Sequence, residues 1–184
     1  MKRVISFVCG LAALLIISTP AFAQQTRKVA VTATAPSSIG ILWHVSDKVA
    51  IRPELNVTRS STESSGTGIV AGTTTTWLLG SGGSVLFYTA KWDNLRMYVS
   101  PRFSFNHAKT SNTSGTASSN PTAYQVSGSV GGQYGLSDRF GVFGEVGLNY
   151  GWQTSTPTTV LTSTYTIKNR SFGTGSRIGV AIYF

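Results

Sequence analysis

Apolar and polar residues alternate with a period of two along much of the chain. In residues 140–153, one set of alternate positions is apolar and ends in the aromatics Tyr150 and Trp152, while the other set is mostly glycine and polar residues. Residues 95–108 and 122–136 show the same split. Side chains on a β-strand point to opposite faces with this period. The pattern therefore predicts an all-β chain.

Counting back from the C-terminus, the alternation and the breaks between its segments predict eight strands. Their expected bounds are Arg27–Ala35, Ser38–Val45, Val49–Arg59, Trp77–Ala90, Leu95–Ala108, Thr122–Leu136, Phe140–Gln153 and Thr164–Phe184. The first hairpin has the briefest strand and a short connection, Ala35-Pro36-Ser37.

The stretch from Trp77 to Ala90 departs from the alternation. Bulky residues fall on both of its faces, with Gly80-Ser81-Gly82-Gly83 between them. Glycine inside a strand often marks a bulge or a close backbone approach. A bulge or a change of register is therefore expected here, and the pattern leaves open which face is the apolar one.

Two kinds of connection alternate along the chain. Short segments centred on Asp47, Asp93 and Asp138 read as tight turns, and they recur, with Phe184, at intervals of 46, 45 and 46 residues. Between them lie stretches rich in Ser, Thr, Gly and Asn that predict polar loops: Ser60–Thr76, Lys109–Pro121 and Thr154–Ser163. Short turns at one end and long loops at the other are typical of outer-membrane barrels.

Composition decides which face is expected to meet solvent. Charged residues make up only 11% of the chain, against about 25% in soluble domains. A Gly/Ser face would be a poorly solvated surface, so the apolar face is expected to meet lipid and the small, polar face to fill a lumen. No segment after the first 23 residues is apolar over the roughly 20 residues of a membrane helix. A soluble, secreted β-sandwich is the alternative.

The first 23 residues have the features of a signal peptide. Lys2 and Arg3 precede the apolar run Ile5–Ile17, and Ala21-Phe22-Ala23 is a cleavage sequence. The alternative, an uncleaved helical anchor, is opposed by residues 18–20, which interrupt the apolar run. We therefore expect a signal peptide at 1–23 and one barrel domain at 24–184.

Cysteine and charge restrict the mature chain further. The single cysteine, Cys9, lies in the predicted signal peptide, so no disulfide is expected. Without Lys2 and Arg3, 13 basic residues face 6 acidic ones, and the basic residues are spread singly. No run predicts a nucleic-acid site, and nucleic acid is not an expected partner.

These features together carry a family resemblance. The turns of the Leu-Ser-Asp-Arg kind, the Gly/aromatic strands and the final sequence of residues 178–184 resemble the small outer-membrane barrels of the OmpA/OmpX type. The resemblance implies an eight-stranded antiparallel up-and-down transmembrane β-barrel in the cell outer membrane, in contact with its lipid. It implies that only the barrel half of the larger members is represented. It also implies that Phe184 is part of the signal read by the barrel-assembly machinery.

Charged residues on the small, polar face are the candidate site. If the alternation holds, these point into the lumen: Arg52, Glu54, Arg96, Arg102, Glu145 and Arg177, with His44 beside them. Opposite charges in a confined lumen should pair, because an unpaired buried charge is costly. The first interpretation is that ion pairs plug the lumen; the second is that the arginine excess lines a narrow, anion-favouring passage.

Other functional classes have weaker support in the sequence. His44 and His107 show no spacing with a serine and an acid that predicts catalysis, and no ligand set predicts a metal or another cofactor. A barrel enzyme acting on lipids or peptides is therefore not expected. The Ser/Thr/Asn-rich loops are the remaining candidates for binding a surface ligand, and a monomer is expected.

Overall fold

The computed structural model describes residues 28–65, 71–113, 117–159 and 166–184. The predicted signal peptide, residues 1–23, lies outside the described residues. No helix in these ranges is long and apolar enough to cross a membrane.

The structure is all-β. Its strands are β1 (Val29–Ala35), β2 (Ser38–His44), β3 (Val49–Ser64), β4 (Gly72–Trp92), β5 (Leu95–Asn112), β6 (Ala117–Ser119), β7 (Thr122–Gly135), β8 (Phe140–Ser155), β9 (Pro157–Thr159) and β10 (Ile167–Tyr183). Eight of them form the barrel. The short strands β6 and β9 pair with each other beyond its rim, and β6 also pairs with β5.

The eight long strands close into a ring of antiparallel neighbours. Pairing runs from β1 through β2, β3, β4, β5, β7, β8 and β10, and β10 returns to β1. At this seam Ala30 pairs with Tyr183 and Ala35 with Ile178. Along the paired length of the strands, the ring satisfies the backbone groups that an open sheet would leave at its edges. The predicted eight-stranded up-and-down barrel is confirmed.

The hairpins differ in height around the ring. β1 and β2 have 7 residues each, whereas their outer neighbours β10 and β3 have 17 and 16, and β4 has 21. The wall is therefore lowest at the first hairpin, whose turn is Pro36-Ser37.

Tight turns occur where the Asp-centred segments predicted them. Asp93 and Asn94 join β4 to β5, and Asp93 has a φ of 39°. Asp and Asn tolerate this left-handed conformation better than most residues do. The turn after β2 is held by Val49 N–H, which donates to the Ser46 hydroxyl at 3.1 Å.

The polar segments predicted as loops are partly strand. β3 continues to Ser64 and β4 begins at Gly72, so most of the predicted loop Ser60–Thr76 is a paired hairpin. Threonine favours strands, and the Thr76 and Thr110 hydroxyls lie 3.1 Å apart across β4 and β5. The polar composition reflects contact with water, but backbone pairing continues beyond the apolar part of the wall.

The expected irregularity of β4 is present, but not at the glycines. Residues Gly80-Ser81-Gly82-Gly83 pair in register with both neighbouring strands. The register shifts between Tyr88 and Ala90, which makes Thr89 the extra residue. The bulge therefore lies beside the tight turn at Asp93.

The two faces of the wall have opposite character. Residues such as Leu55 and Ile178 are 63% and 67% exposed on the outside, and on β4 the outward face carries Trp77 and Leu79. This answers the question that the β4 sequence left open. Leu86, on the opposite face of β4, is buried in the small inner core with Ala30, Leu42, Ala50, Tyr98 and Ala181. The barrel therefore has an apolar exterior and a small core of buried side chains inside.

Candidate functional site

Charged side chains from four strands meet in the middle of the lumen. Arg52 and Glu54 come from β3, Arg102 from β5, Glu145 from β8 and Arg177 from β10. The first four are buried, and the Arg177 side chain is 29% exposed. They meet because each occupies an inward position of the two-residue alternation at a similar height in the barrel.

Four of these side chains form a closed ring of alternating charges, which we call the lumen ring. Arg52 Nη2 contacts Glu145 Oε1, and Arg102 Nη2 lies 3.0 Å from Glu145 Oε2. Arg102 Nη1 contacts Glu54 Oε2, and Arg52 Nε lies 2.9 Å from Glu54 Oε1. Each arginine thus contacts both glutamates. Arg177 Nη1 joins from one side, 3.3 Å from Glu54 Oε2.

Neutral side chains hold the lumen ring in place. The Tyr98 hydroxyl donates to Glu145 Oε1 at 2.9 Å, and Arg52 Nε donates to the Ser84 hydroxyl at 3.3 Å. The Arg52 guanidinium also stacks over the Phe143 ring, 4.8 Å from its centroid. Such contacts fix the planar arginine and occupy its remaining donors.

Two glycines make room for these aromatic rings. A Cβ on Gly131 would stand 2.7 Å from the Tyr98 ring, and one on Gly179 would stand 2.4 Å from Phe143. The glycines of the inward faces therefore serve the packing of the lumen. Close packing here also removes water from around the charges, which strengthens their attraction.

Arg96 and His44 lie outside the lumen ring, in a second layer toward the tight turns. His44 stacks between Tyr88 and Tyr183, and its Nε2 lies 3.2 Å from the Tyr183 hydroxyl. Gln133 accepts a 3.0 Å hydrogen bond from Tyr88 and donates to the Tyr183 hydroxyl. The Arg96 guanidinium lies over the Tyr88 ring. We call these five residues the lower cluster.

The sequence analysis did not single out the neutral side chains that contact these charged residues, although their strand positions indicated them. Tyr88, Tyr98, Gln133, Phe143 and Tyr183 all occupy inward positions of their strands, as the lumen charges do. Four of them are bulky aromatics of the type found on the apolar face, but all five are held inside by hydrogen bonds or by the Arg52 guanidinium.

The charges of the lumen ring balance. Two arginines and two glutamates cancel, and Arg177 adds one positive charge at the edge. Removing one partner from a buried pair typically costs about 3–5 kcal/mol, because the other charge is left without compensation. Above the ring, a polar cavity of about 170 Å³ opens toward the loop end, lined by side chains that include Asn56, Asn106, Gln125 and Arg177.

The second histidine lies outside both the lumen ring and the lower cluster. His107 Nδ1 lies 3.1 Å from the Thr122 hydroxyl near the loop end. In the part of the chain that the structure describes, no group of three or more His, Cys, Asp or Glu side chains is placed to hold a metal ion.

Phe184 lies at the tight-turn end, next to the seam of the barrel. Its N–H donates to the Val29 carbonyl at 3.1 Å, and its side chain is 69% exposed. The last strand therefore ends on the same side as the three Asp-centred turns and pairs with the first strand.

Comparisons with known proteins bear on the fold. No family model matches the sequence, and no curated protein matches it either. A solved structure of a major outer membrane protein from Thermus thermophilus matches with a TM-score of 0.58 and 10% identity, over 87% of this chain and 100% of that chain. CarO2 from Acinetobacter baumannii matches with 0.46 and 12%, over 86% and 98%. Ail, the attachment invasion locus protein of Yersinia pestis, matches with 0.40 and 10%, over 85% and 94%.

The Thermus protein shares the barrel fold over its whole length. That fold, closed and apolar on its outer surface, is the arrangement that spans the outer membrane. The chain accordingly has the fold of an outer-membrane β-barrel, as its sequence predicted.

Proposed function

We propose that this small outer-membrane barrel of the OmpA/OmpX type is closed to solutes by its lumen ring, and that it serves as a structural or surface-interacting component of the outer membrane. The observation that carries the proposal is the contact of Arg52 and Arg102 with both Glu54 and Glu145. An eight-stranded barrel encloses little more space than its side chains fill, so a ring of this kind leaves no continuous aqueous path.

The lower cluster supports the same proposal. His44, Tyr88, Gln133 and Tyr183 are linked by hydrogen bonds and stacking between the lumen ring and the tight turns. A solute that passed the ring would meet this second layer. Two successive layers of contacting side chains therefore support closure of the lumen at two heights.

Planar-bilayer recording tests the closed lumen. We expect the parent protein to give no conductance steps, and we expect brief steps after Glu145→Ala combined with Arg102→Ala, because the double substitution removes two members of the ring. Glu63→Ala combined with Lys109→Ala, at the loop end, is the matched control and should stay silent. Stable conductance of the parent would overturn the proposal.

The alternative is a narrow, anion-favouring pore. Arg177 favours this alternative, because it is partly exposed and lines the polar cavity. The lumen ring is neutral, so Arg177 gives this part of the lumen a net charge of one positive unit. A basic constriction selects anions. The same recordings distinguish the two: a pore would conduct in the parent, prefer chloride to potassium, and lose that preference in Arg177→Gln.

The surface-interacting part of the proposal rests on the tall β3–β4 hairpin. Its described residues beyond Arg59 and Trp77 are mostly Ser and Thr and are exposed or partly exposed, and they are held as paired strands up to Ser64 and Gly72. A rigid hairpin presents a defined surface to an extracellular partner. Replacing residues 61–74 with Asn-Gly should lower adhesion or phage adsorption while the heat-modifiable gel mobility of the barrel is kept. Unchanged adhesion and adsorption would oppose this part.

Catalysis is not part of the proposed role. The two histidines contact Tyr183 and Thr122, which gives neither of them the serine and carboxylate of a hydrolytic triad. We expect no turnover of lipid A, phospholipid or peptide substrates by the refolded protein; deacylation or proteolysis above a boiled control would contradict this.

We further propose that Phe184 is part of the signal read by the barrel-assembly machinery. Its exposed ring follows the last residue of β10 at the seam. The assembly machinery can contact it there before β10 pairs with β1. Phe184→Ala should lower the amount of protein in the outer membrane several-fold, as measured by fractionation. Phe172→Ala, on the same strand and equally exposed, is the control. Equal levels of both variants would oppose the assignment.

A further inference from the structure

The barrel wall has a notch above the first hairpin. β1 and β2 end at the Pro36-Ser37 turn, with Ala35 paired to Ile178 and Ile39 paired to Leu55. Beyond this point, residues 56–64 of β3 and residues 167–177 of β10 have no strand on their facing sides within the described ranges. We call this gap between β3 and β10 the wall notch.

The wall notch begins within the apolar part of the wall. On β10, Phe172 lies six residues beyond Ile178 and is 72% exposed. Six residues of a strand tilted by about 40° rise roughly 15 Å along the barrel axis. The floor of the notch is therefore below the aromatic side chains that mark the outer edge of the apolar belt. Open strand edges at that depth need hydrogen-bonding partners.

The outer side of the notch floor is an apolar groove. It has a volume of about 1410 Å³. Its apolar lining residues include Ile39, Ile41, Leu55, Val57, Ile178 and Val180. A groove of this lining and position accepts hydrocarbon chains from the bilayer.

Basic side chains stand on both sides of the notch above the groove. Arg59 lies on β3, with its guanidinium 5.2 Å from the centre of the Trp77 ring, and Lys168 and Arg170 are exposed on β10. Among the described residues, Glu63 is the one acidic side chain at this end. The other five acidic residues are at the tight turns or in the lumen ring: Asp47, Asp93, Asp138, Glu54 and Glu145.

We propose that the wall notch binds a phosphate-bearing lipid of the outer leaflet. Its acyl chains lie in the apolar groove, and its phosphate lies between Arg59 on one edge and Lys168 and Arg170 on the other. Phosphate oxygens accept charge-assisted hydrogen bonds from arginine and hydrogen bonds from backbone N–H groups. The headgroup and its water also supply hydrogen-bond partners for the strand edges at their own level, near Arg59 and Arg170.

The basic side chains on both edges of the notch favour an anionic lipid over a second copy of the chain. Two copies joined symmetrically through these edges would bring the basic side chains of one against those of the other, since an isologous interface uses the same patch twice. Like charges at close range oppose such pairing. An anionic lipid instead complements both edges at once.

Tryptophan quenching by brominated lipids tests the proposal. Trp43→Phe/Trp92→Phe leaves Trp77 beside Arg59 and Trp152 paired with Arg170 as the reporters. In phosphatidylcholine vesicles, brominated phosphatidylglycerol should associate with this protein about tenfold more strongly than brominated phosphatidylcholine. Equal quenching by the two lipids would overturn the proposal.

Two three-charge variants locate the site. Arg59→Gln/Lys168→Gln/Arg170→Gln should abolish the preference for the anionic lipid, whereas Lys48→Gln/Lys91→Gln/Arg139→Gln, at the opposite end, should retain it. Equal loss in both variants would show a general charge effect and overturn the site. Displacement of the lipid by millimolar inorganic phosphate would assign the notch to a free anion. Quenching that changes in parallel with the amount of cross-linked dimer would assign it to a second copy of the chain. Either result contradicts the proposal.

Discussion

Glu145 joins three lumen side chains through one carboxylate. Arg52 and Arg102 pair with its two oxygens, and Tyr98 donates a hydrogen bond to one of them. All three partners are buried, so water has little access to replace the carboxylate. The structural consequence of losing this one charge should therefore be large.

Replacing Glu145 with Gln keeps the shape of the side chain and removes its charge. We expect the free energy of unfolding to fall by about 3–5 kcal/mol, because Arg52 and Arg102 are left with an excess of buried positive charge. Urea unfolding in lipid vesicles, followed by tryptophan fluorescence, measures the change. Glu63→Gln at the exposed loop end is the control and should change stability by less than about 0.5 kcal/mol. A stability of E145Q equal to that of the parent would mean that the ring contributes nothing.

A second residue-scale prediction concerns two glycines of β7. Gly131→Ala places a Cβ 2.7 Å from the Tyr98 ring and 2.8 Å from the Gly144 carbonyl, so we expect a loss of about 1–3 kcal/mol. Gly128→Ala meets nothing within 4 Å and should leave stability unchanged or slightly higher. The same unfolding experiment compares them. Equal effects of the two substitutions would show that Tyr98 is not held by close packing.

At the scale of single residues, the sequence predicts which face of a strand a side chain occupies better than it predicts which side chains it contacts. Alternation placed Arg52, Glu54, Arg102, Glu145 and Arg177 on inward positions, and the structure brings them together. It also grouped Arg96 with them, whereas Arg96 lies over Tyr88 in the lower cluster. The period of two gives the face of a strand, but the height of a side chain in the lumen depends on the stagger between strands, which one sequence does not contain.

At the scale of the strands, the wall has its apolar face outside and its charged face inside, the reverse of a soluble β-barrel. Val146 is 59% exposed on β8, while its neighbour Glu145 is buried on the other side of the wall. A one-residue shift along the strand thus separates lipid from lumen. The wall should therefore tolerate a charge at some outward positions and reject it at others.

Val146→Arg places a cation on the outward face near the middle of the apolar belt. We expect a destabilisation of about 2–4 kcal/mol in vesicles, because the charge is carried into hydrocarbon. Thr154→Arg, on the same face of β8 but at the loop end, should cost no more than about 1 kcal/mol. The comparison is made by urea unfolding with each variant in the same lipid. Equal costs at the two positions would mean that Val146 does not face hydrocarbon.

The strands also show where sequence patterns reach their limit. Tight turns at Asp47, Asp93 and Asp138 were predictable, because Asp with Ser or Asn favours turns and the apolar runs stop there. The extension of β3 to Ser64 was not, because Ser and Thr are equally common in loops and in solvated strands. The position of the bulge at Thr89 was also not predictable. Pairing with both neighbouring strands keeps the four residues from Gly80 to Gly83 in register, and this pairing is not visible in one strand's sequence.

For the whole molecule, closure of the ring connects the local patterns to the environment. β10 pairs with β1, so the strand that ends the chain also completes the wall. The regular spacing of the three Asp-centred turns with Phe184 predicted that the last strand would end at the tight-turn side, and it does. The shortness of the first hairpin was visible in the sequence, but the notch that it leaves follows only from the height of β3 and β10 on either side.

Heat-modifiable gel mobility of the protein from the outer-membrane fraction tests the closed, lipid-facing barrel most directly. We expect extraction to require detergent. We also expect the unheated protein to migrate at a different apparent mass from the boiled protein, because the closed strand ring resists unfolding by the gel detergent. A mature protein that is soluble without detergent, with the same mobility before and after boiling, would show that the chain is not a lipid-facing barrel.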